Sequence, residues 1–192
     1  MFGSVCVFCG SSDGLRPAYL EAARAMGREL ARRGIRLVYG GGDIGCMGAL
    51  SRAALAAGGE VLGIIPKRLF ERVATAELSE LIVASDMHDR KARMYGAADA
   101  FVALPGGVGT MDELFEAWTW RQLGYHQKPV GILEVEGYFA PFLSLIERIS
   151  AEGFMNAGLV ADLVVDTEPS MLLDRRELAP PIAHHTLPEA RG

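Results

Sequence analysis

Seven short apolar runs, separated by stretches of helical character, limit this chain to very few folds. The runs are Ser4–Gly10, Arg36–Tyr39, Val61–Ile65, Leu81–Ser85, Ala100–Leu104, Val130–Leu133 and Leu163–Val165. Each is too short for a helix and carries apolar residues at successive positions, as a strand buried on both faces requires. Between them, Pro17–Arg33, Met47–Ala57, Met87–Ala97, Thr110–Leu123 and Tyr138–Ala151 read as helices, with a helical turn near Glu168–Leu173. Lys67–Glu80 reads mostly as loop. Strands alternating with helices of this length make βαβ units, whose right-handed crossovers build an open parallel sheet. The expected fold class is therefore α/β: one doubly wound, Rossmann-like parallel sheet with helices on both faces.

The chain has 192 residues, a little more than one domain at about 150 residues each. We expect a catalytic domain over residues 1–175. Residues 176–192, with Pro180-Pro181, His184-His185 and Pro188, are expected to form a flexible tail. A net charge of −5 argues against nucleic acid and membrane surfaces as partners, since both need clustered positive charge. Three cysteines give no disulfide framework and fit a reducing compartment. No apolar run is long enough to span a bilayer, and no basic leader precedes Arg16, so a cytoplasmic location is expected.

Ligands of such sheets bind beyond the carboxyl ends of the strands. Three of those ends are glycine-rich turns leading into helices: Gly10-Ser11-Ser12, Gly40 through Gly48, and Pro105 through Thr110. Glycines let backbone N–H groups crowd an anion, and a helix N-terminus adds partial positive charge. Three such turns on one edge point to a phosphorylated small molecule. Gly40, Gly42 and Gly45 match G-x-G-x-x-G, but after the second strand, and no acidic residue follows the third strand to hold a ribose diol. That weakens a dinucleotide reading and leaves tight helix–sheet packing as the alternative.

Thr110 and Glu113 admit two readings. They match a capping box, in which the threonine caps the helix and the glutamate reaches back. Alternatively, Gly107 and Gly109 keep the turn open to a ligand and Glu113, one turn on, acts on the sugar attached to a bound phosphate. Arg90, Lys91 and Arg93 similarly form either a solvated surface cluster or an anion site with an arginine fork. Cys6 and Cys9 are formally C-x-x-C, yet residues three apart on a strand face opposite ways, so no redox pair is expected. No Cys and His set has zinc spacing, and no metal is expected. Trp118 and Trp120 read as core or interface residues, or as the wall of a base pocket.

Taken together, these residues resemble the Lonely Guy family of cytokinin-activating phosphoribohydrolases. The signature P-G-G-x-G-T-x-x-E is matched by Pro105, Gly106, Gly107, Gly109, Thr110 and Glu113. A companion segment is matched by Met87, His88, Arg90, Lys91 and Met94, and G-G-G-x-x-G-x-M-G by Gly40 to Gly48, including Gly41, Gly42 and Gly45. The similarity runs from about Ser4 to about Val165 and departs from the family pattern over Lys67–Glu80. The resemblance implies hydrolysis of the N-glycosidic bond of an adenosine 5′-monophosphate, N6-substituted or not, to free purine and ribose 5-phosphate. It implies Arg90 and Glu113 as the catalytic pair, Gly107, Gly109 and Thr110 at the phosphate, and Arg90 and Lys91 in the substrate site. Gly10, Ser11, Gly41, Gly42, Gly45, Arg93 and Gly106 complete the expected binding set. A homodimer with sites near its interface is implied, and no cofactor. Homologues also carry a lysine decarboxylase label, but three lysines without pyridoxal context do not support it. The rival expectation is a non-enzymatic nucleotide or molybdenum-cofactor carrier of the same fold, for which Glu113 has little use.

Overall fold

The computed structural model describes residues 2–72 and 78–177. In chain order the elements are β1 (Ser4–Phe8), α1 (Pro17–Arg32), β2 (Arg36–Tyr39), α2 (Gly45–Ala56), β3 (Val61–Pro66), α3 (Lys67–Phe70) and β4 (Glu80–Ala84). Then follow α4 (Met87–Gly96), β5 (Ala100–Ala103), α5 (Val108–Gln122), β6 (Val130–Leu133), α6 (Ala140–Ala151), α7 (Ala157–Asp162), β7 (Val164–Asp166) and α8 (Pro169–Glu177). The seven strands form one sheet in the order β4-β3-β2-β1-β5-β6-β7, parallel at every pairing.

Side-chain alternation along the strands divides the core in two. Val5, Val7, Leu37, Tyr39, Val102 and Leu133 face a layer that includes Met26 and Leu30 of α1, Leu50 of α2, and Leu172 and Leu173 of α8. Cys6, Phe8, Val38, Phe101 and Ile132 face the opposite layer, with Tyr95 of α4, Leu114 and Trp118 of α5, Ile146 of α6 and Leu159 of α7. Cys9 belongs to the first layer and Cys6 to the second, so the C-x-x-C residues are separated by the sheet. Trp118 is core.

The sequence expectation holds for all seven strands. The helical differences lie mainly at the ends. α2 begins at Gly45 rather than Met47, and α5 at Val108 rather than Thr110. α6 begins at Ala140 rather than Tyr138, because Glu136 and Gly137 both take positive φ and form a turn first. Lys67–Phe70 is one helical turn within the expected loop. α7 was not expected: Gly158 weakens its six-residue pattern, and its start is fixed by Asn156, whose side chain accepts from the Gly158 N–H at 2.7 Å. α8 continues to Glu177, past the expected helical turn. His184-His185 and most of the expected tail lie outside the described residues.

The topology fixes where a ligand cleft belongs. From β1 the chain steps outward through β2, β3 and β4, then crosses back to place β5 on the other side of β1. The helices after β1 and β5 leave on opposite faces, so a crevice opens between those two strand ends.

Candidate functional site

A cavity of about 250 Å³ lies at that switch point, lined by Gly10 to Gly14 after β1, Pro105 to Gly107 after β5, and Tyr19, Cys46 and Tyr138. The strands stay joined to its rim: Leu104 N–H donates to the Phe8 carbonyl at 2.9 Å, and Gly10 N–H to the Pro105 carbonyl at 3.1 Å. Two glycines are required by close approach. A side chain at Gly45, where φ is +59°, would strike the Ser11–Ser12 backbone. One at Gly106 would strike Thr110 Oγ1 and lie 2.7 Å from the Gly10 nitrogen. Gly107 and Gly109 are different: a Cβ there would meet nothing within 4 Å. Their small size serves no packing need inside the protein and leaves the start of α5 open to a ligand.

That helix start has donors to spare. Gly107 is the N-cap and no side chain caps the helix. Among the described residues, the N–H groups of Gly107, Val108 and Gly109 have no acceptor, while Thr110 N–H bonds the Gly107 carbonyl at 3.0 Å. Three unpaired donors on a 15-residue helix match the geometry that phosphates occupy. The capping-box reading fails. Thr110 is buried inside the helix beneath Gly106, and the Glu113 carboxylate turns to α4 instead.

There Arg90 Nη1 donates to Glu113 Oε1 at 2.6 Å, with both side chains 10 % exposed. Arg90 is pinned from behind by its Nε, which donates to the Ile64 carbonyl at 3.1 Å. Its Nη2 lies where a Cβ on Gly40 would be, 2.5 Å away, so Gly40 must be glycine for the guanidinium to reach the glycine-rich edge. No hydrogen bond from the described residues ends on Glu113 Oε2. Burial pushes the Glu113 carboxyl above its ordinary value, and Arg90 and then Lys91 pull against burial. Glu113 follows Gly107 by six residues, about 9 Å along the axis, and helix side chains lean back toward the N-terminus. Neither residue of the pair lines the cavity; Arg90 reaches the ends of β2 and β3, at Gly40 and Ile64.

The other expected residues divide. Gly10, Ser11, Gly106 and Gly107 line the cavity. Gly45 supports its floor from behind, and Gly41, at φ +79°, packs on Ile64 and Ile65; Gly42 is buried and not in the wall. Lys91 turns to α5, with its Nζ 2.7 Å from Asp112 and 3.1 Å from Glu116. Arg93 pairs with Asp89 at 2.6 Å and is half exposed. Neither Lys91 nor Arg93 lines the cavity. Tyr19 and Tyr138 were not foreseen as site residues, and Gly40 was foreseen only as part of a glycine-rich turn, not for its approach to Arg90. For Tyr138 the available sequence signal is the turn dipeptide Glu136-Gly137 just ahead of it.

Residues 47–175 match a family model described as "Possible lysine decarboxylase". The lysines do not fit a pyridoxal enzyme. Lys91 is ion-paired, Lys128 Nζ donates to the Tyr95 carbonyl at 2.7 Å, and Lys67 is exposed on α3 outside the cavity wall. Named relatives point elsewhere. A probable cytokinin riboside 5′-monophosphate phosphoribohydrolase of Oryza sativa subsp. japonica is 52% identical over 157 residues, 81% of this chain and 70% of that protein. A cytokinin riboside 5′-monophosphate phosphoribohydrolase of Arabidopsis thaliana is 53% identical over 156 residues, 81% of this chain and 72% of that protein. Among solved structures, the molybdenum cofactor carrier protein of Chlamydomonas reinhardtii superposes with a TM-score of 0.71 over 93% of this chain and 98% of its own. At 21% identity it shares the fold alone. The signature matched at Pro105–Glu113 and identities of 52% and 53% over 81% of the chain place this protein in the Lonely Guy family.

Proposed function

We propose that this chain hydrolyses the N-glycosidic bond of an N6-substituted adenosine 5′-monophosphate, releasing the free base and ribose 5-phosphate. One observation carries the reading: a buried carboxylate, on the same helix whose glycine-flanked start carries no side-chain cap, is held by one oxygen to Arg90 and keeps the other uncommitted. The N–H groups of Gly107, Val108 and Gly109 bind the 5′-phosphate, with Ser11 on the facing rim. The ribose then reaches toward Glu113. Bond cleavage develops positive charge on the sugar, and the Glu113 carboxylate stabilises it and accepts a proton from the attacking water. Water supplies the hydroxyl at C1′, and the departing purine takes up a proton from solvent or from His88, which is exposed at the start of α4. Asp89 is unsuited to that task. The Ser85 N–H and then Arg93 hold its carboxyl below the ordinary range, so it stays ionised. Arg90 orients Glu113 through their ion pair.

A carrier of the same fold has no use for an ion-paired carboxylate next to its phosphate cradle, which favours hydrolysis over carriage. The low overall charge and three free cysteines support a cytoplasmic protein without nucleic-acid partners. Exposed Leu69, Phe70, Val83 and Met87, near the ends of β3 and β4, support a homodimer, which light scattering tests. Among the described residues, no helix is long and apolar enough to cross a membrane. The direct test of the activity is incubation with AMP and with N6-isopentenyl-AMP, followed by assay for free base. Stoichiometric release of base and ribose 5-phosphate is expected. Tight binding of both nucleotides with no release would make the protein a carrier.

A further inference from the structure

We propose that Tyr138 is a positioning residue whose hydroxyl locks the Gly106–Gly107 peptide in the orientation that presents the Gly107 N–H to the substrate phosphate. Tyr138 lines the cavity, and its hydroxyl donates to the Gly106 carbonyl. The peptide is trans and planar, so its C=O and N–H point in opposite directions. Holding the carbonyl therefore aims the next N–H. Without that hold the two adjoining glycines impose little barrier to turning the peptide over, and the anion site would exchange a donor for a carbonyl oxygen.

The surrounding structure is built to hold the tyrosine in place. Tyr138 ends a four-residue turn from Val135, closed by its own N–H to the Val135 carbonyl at 3.0 Å. The central residues Glu136 and Gly137 have φ of 51° and 78°, the pattern of a type I′ turn. Glu136 is the only non-glycine residue at positive φ among the described residues, and such strain persists only where neighbours enforce it. Two neighbours do so. Arg16, from the loop on the opposite rim, donates to the Glu136 carbonyl at 3.1 Å and lies 3.2 Å from its carboxylate. Glu134 Oε2 accepts the Phe139 N–H at 2.8 Å, just beyond the turn. The ring is then gripped edge-on by Tyr19, at 5.5 Å between centroids, and by Phe139, at 5.0 Å. Strain, ion pair and aromatic contacts converge on one hydroxyl and one carbonyl.

The inference rests on the phosphate placement proposed above, so its test reads phosphate binding as well as turnover. Tyr138→Phe keeps both ring contacts and removes only the hydroxyl. The expected result is a KM for N6-isopentenyl-AMP raised about tenfold, with kcat changed less than threefold. The Kd of ribose 5-phosphate, by calorimetry, should weaken by the same factor, since both ligands share the phosphate. Arg16→Gln, at an exposed position outside the cavity wall, loosens the turn from a distance and should move both constants the same way by about threefold. It also decides the matter should Tyr138→Phe fail to fold. A fall in kcat alone, or a lower melting temperature with KM and ribose 5-phosphate affinity both within twofold, overturns the proposal. Should the wild type cleave nothing, the hydrolase reading fails while the ribose 5-phosphate affinities still decide the role of Tyr138.

Discussion

Helix α5 carries a buried arginine–carboxylate pair near each end, and the two are built differently. Near its C-terminus, Arg121 Nε and Nη2 each meet an Asp162 oxygen at 2.6 Å, and Nη1 donates to the Gln127 carbonyl. Those side chains are 1% and 5% exposed, and both carboxylate oxygens are used. Near its N-terminus, Arg90 and Glu113 share one contact, each 10% exposed, with Glu113 Oε2 left over. The saturated pair joins α5 to α7 and has nothing to offer a ligand. The half-used pair is oriented as firmly, yet keeps one acceptor for chemistry. The contrast teaches that burial and ion pairing alone do not mark a functional site; an incomplete set of partners does.

The contrast is sharpest in paired substitutions. Arg90→Met should lower turnover by about 10³-fold, the scale for losing an electrostatic element of a site. Its stability cost should be smaller than that of breaking the more deeply buried pair, because the raised Glu113 carboxyl takes up a proton. Arg121→Met should do the reverse. It leaves Asp162 buried and unpaired, at a cost of about 3–5 kcal/mol in urea unfolding, with turnover per folded molecule unchanged. If both variants lose activity alike, the division of roles is wrong.

Lys91 sharpens the picture further. Because burial raises the Glu113 carboxyl, kcat/KM should fall on acidification at a higher pH than an ordinary glutamate would give, as the needed carboxylate is protonated. Lys91→Met removes a cation that favours the carboxylate, and leaves Arg90 in contact with it and Asp112 nearby to disfavour it. The acidic limb should therefore move to still higher pH. A shift to lower pH, or none, would mean that Lys91 contacts substrate rather than supporting Glu113.

The smallest effect is expected far from the cleft. Hydrogen bonds from Arg32 and then Arg33 hold the Glu29 carboxyl down to about 2 from an ordinary 4.5. Its folded value is depressed, so its stabilisation is complete above the ordinary value and is lost as pH falls through about 2. Glu29→Gln should cost about 1 kcal/mol at pH 7, the scale of a partly exposed pair, and much less near pH 2, with activity unaltered. Unfolding at the two pH values checks it.

Much of this was legible in the sequence, for physical reasons that differ by residue. All seven strands follow from local apolar runs, and the glycine-rich strand ends announce the cleft because glycine clusters have few other uses. Glu113 and Arg90 stood out through motif spacing on those same edges. What depends on contacts across the chain did not. Glu113 fits a capping box equally well until α4 is seen packed on α5, and the ion pairs of Lys91 with Asp112 and Glu116 show only in the assembled structure. Arg121 and Asp162 are 41 positions apart, and Tyr138 and Gly106 are 32 apart, with no local pattern to join either pair. Short-range rules place elements and loops; the partner of a polar side chain is a property of the assembled sheet.

The most direct measurement is single-turnover release of free base from N6-isopentenyl-AMP by Glu113→Gln, set against the unaltered protein. Glutamine keeps the shape and an acceptor for Arg90 but cannot carry charge. A rate about 10³-fold lower, with ribose 5-phosphate bound within threefold of normal, is the predicted result. Base release within tenfold of the unaltered rate would contradict the account.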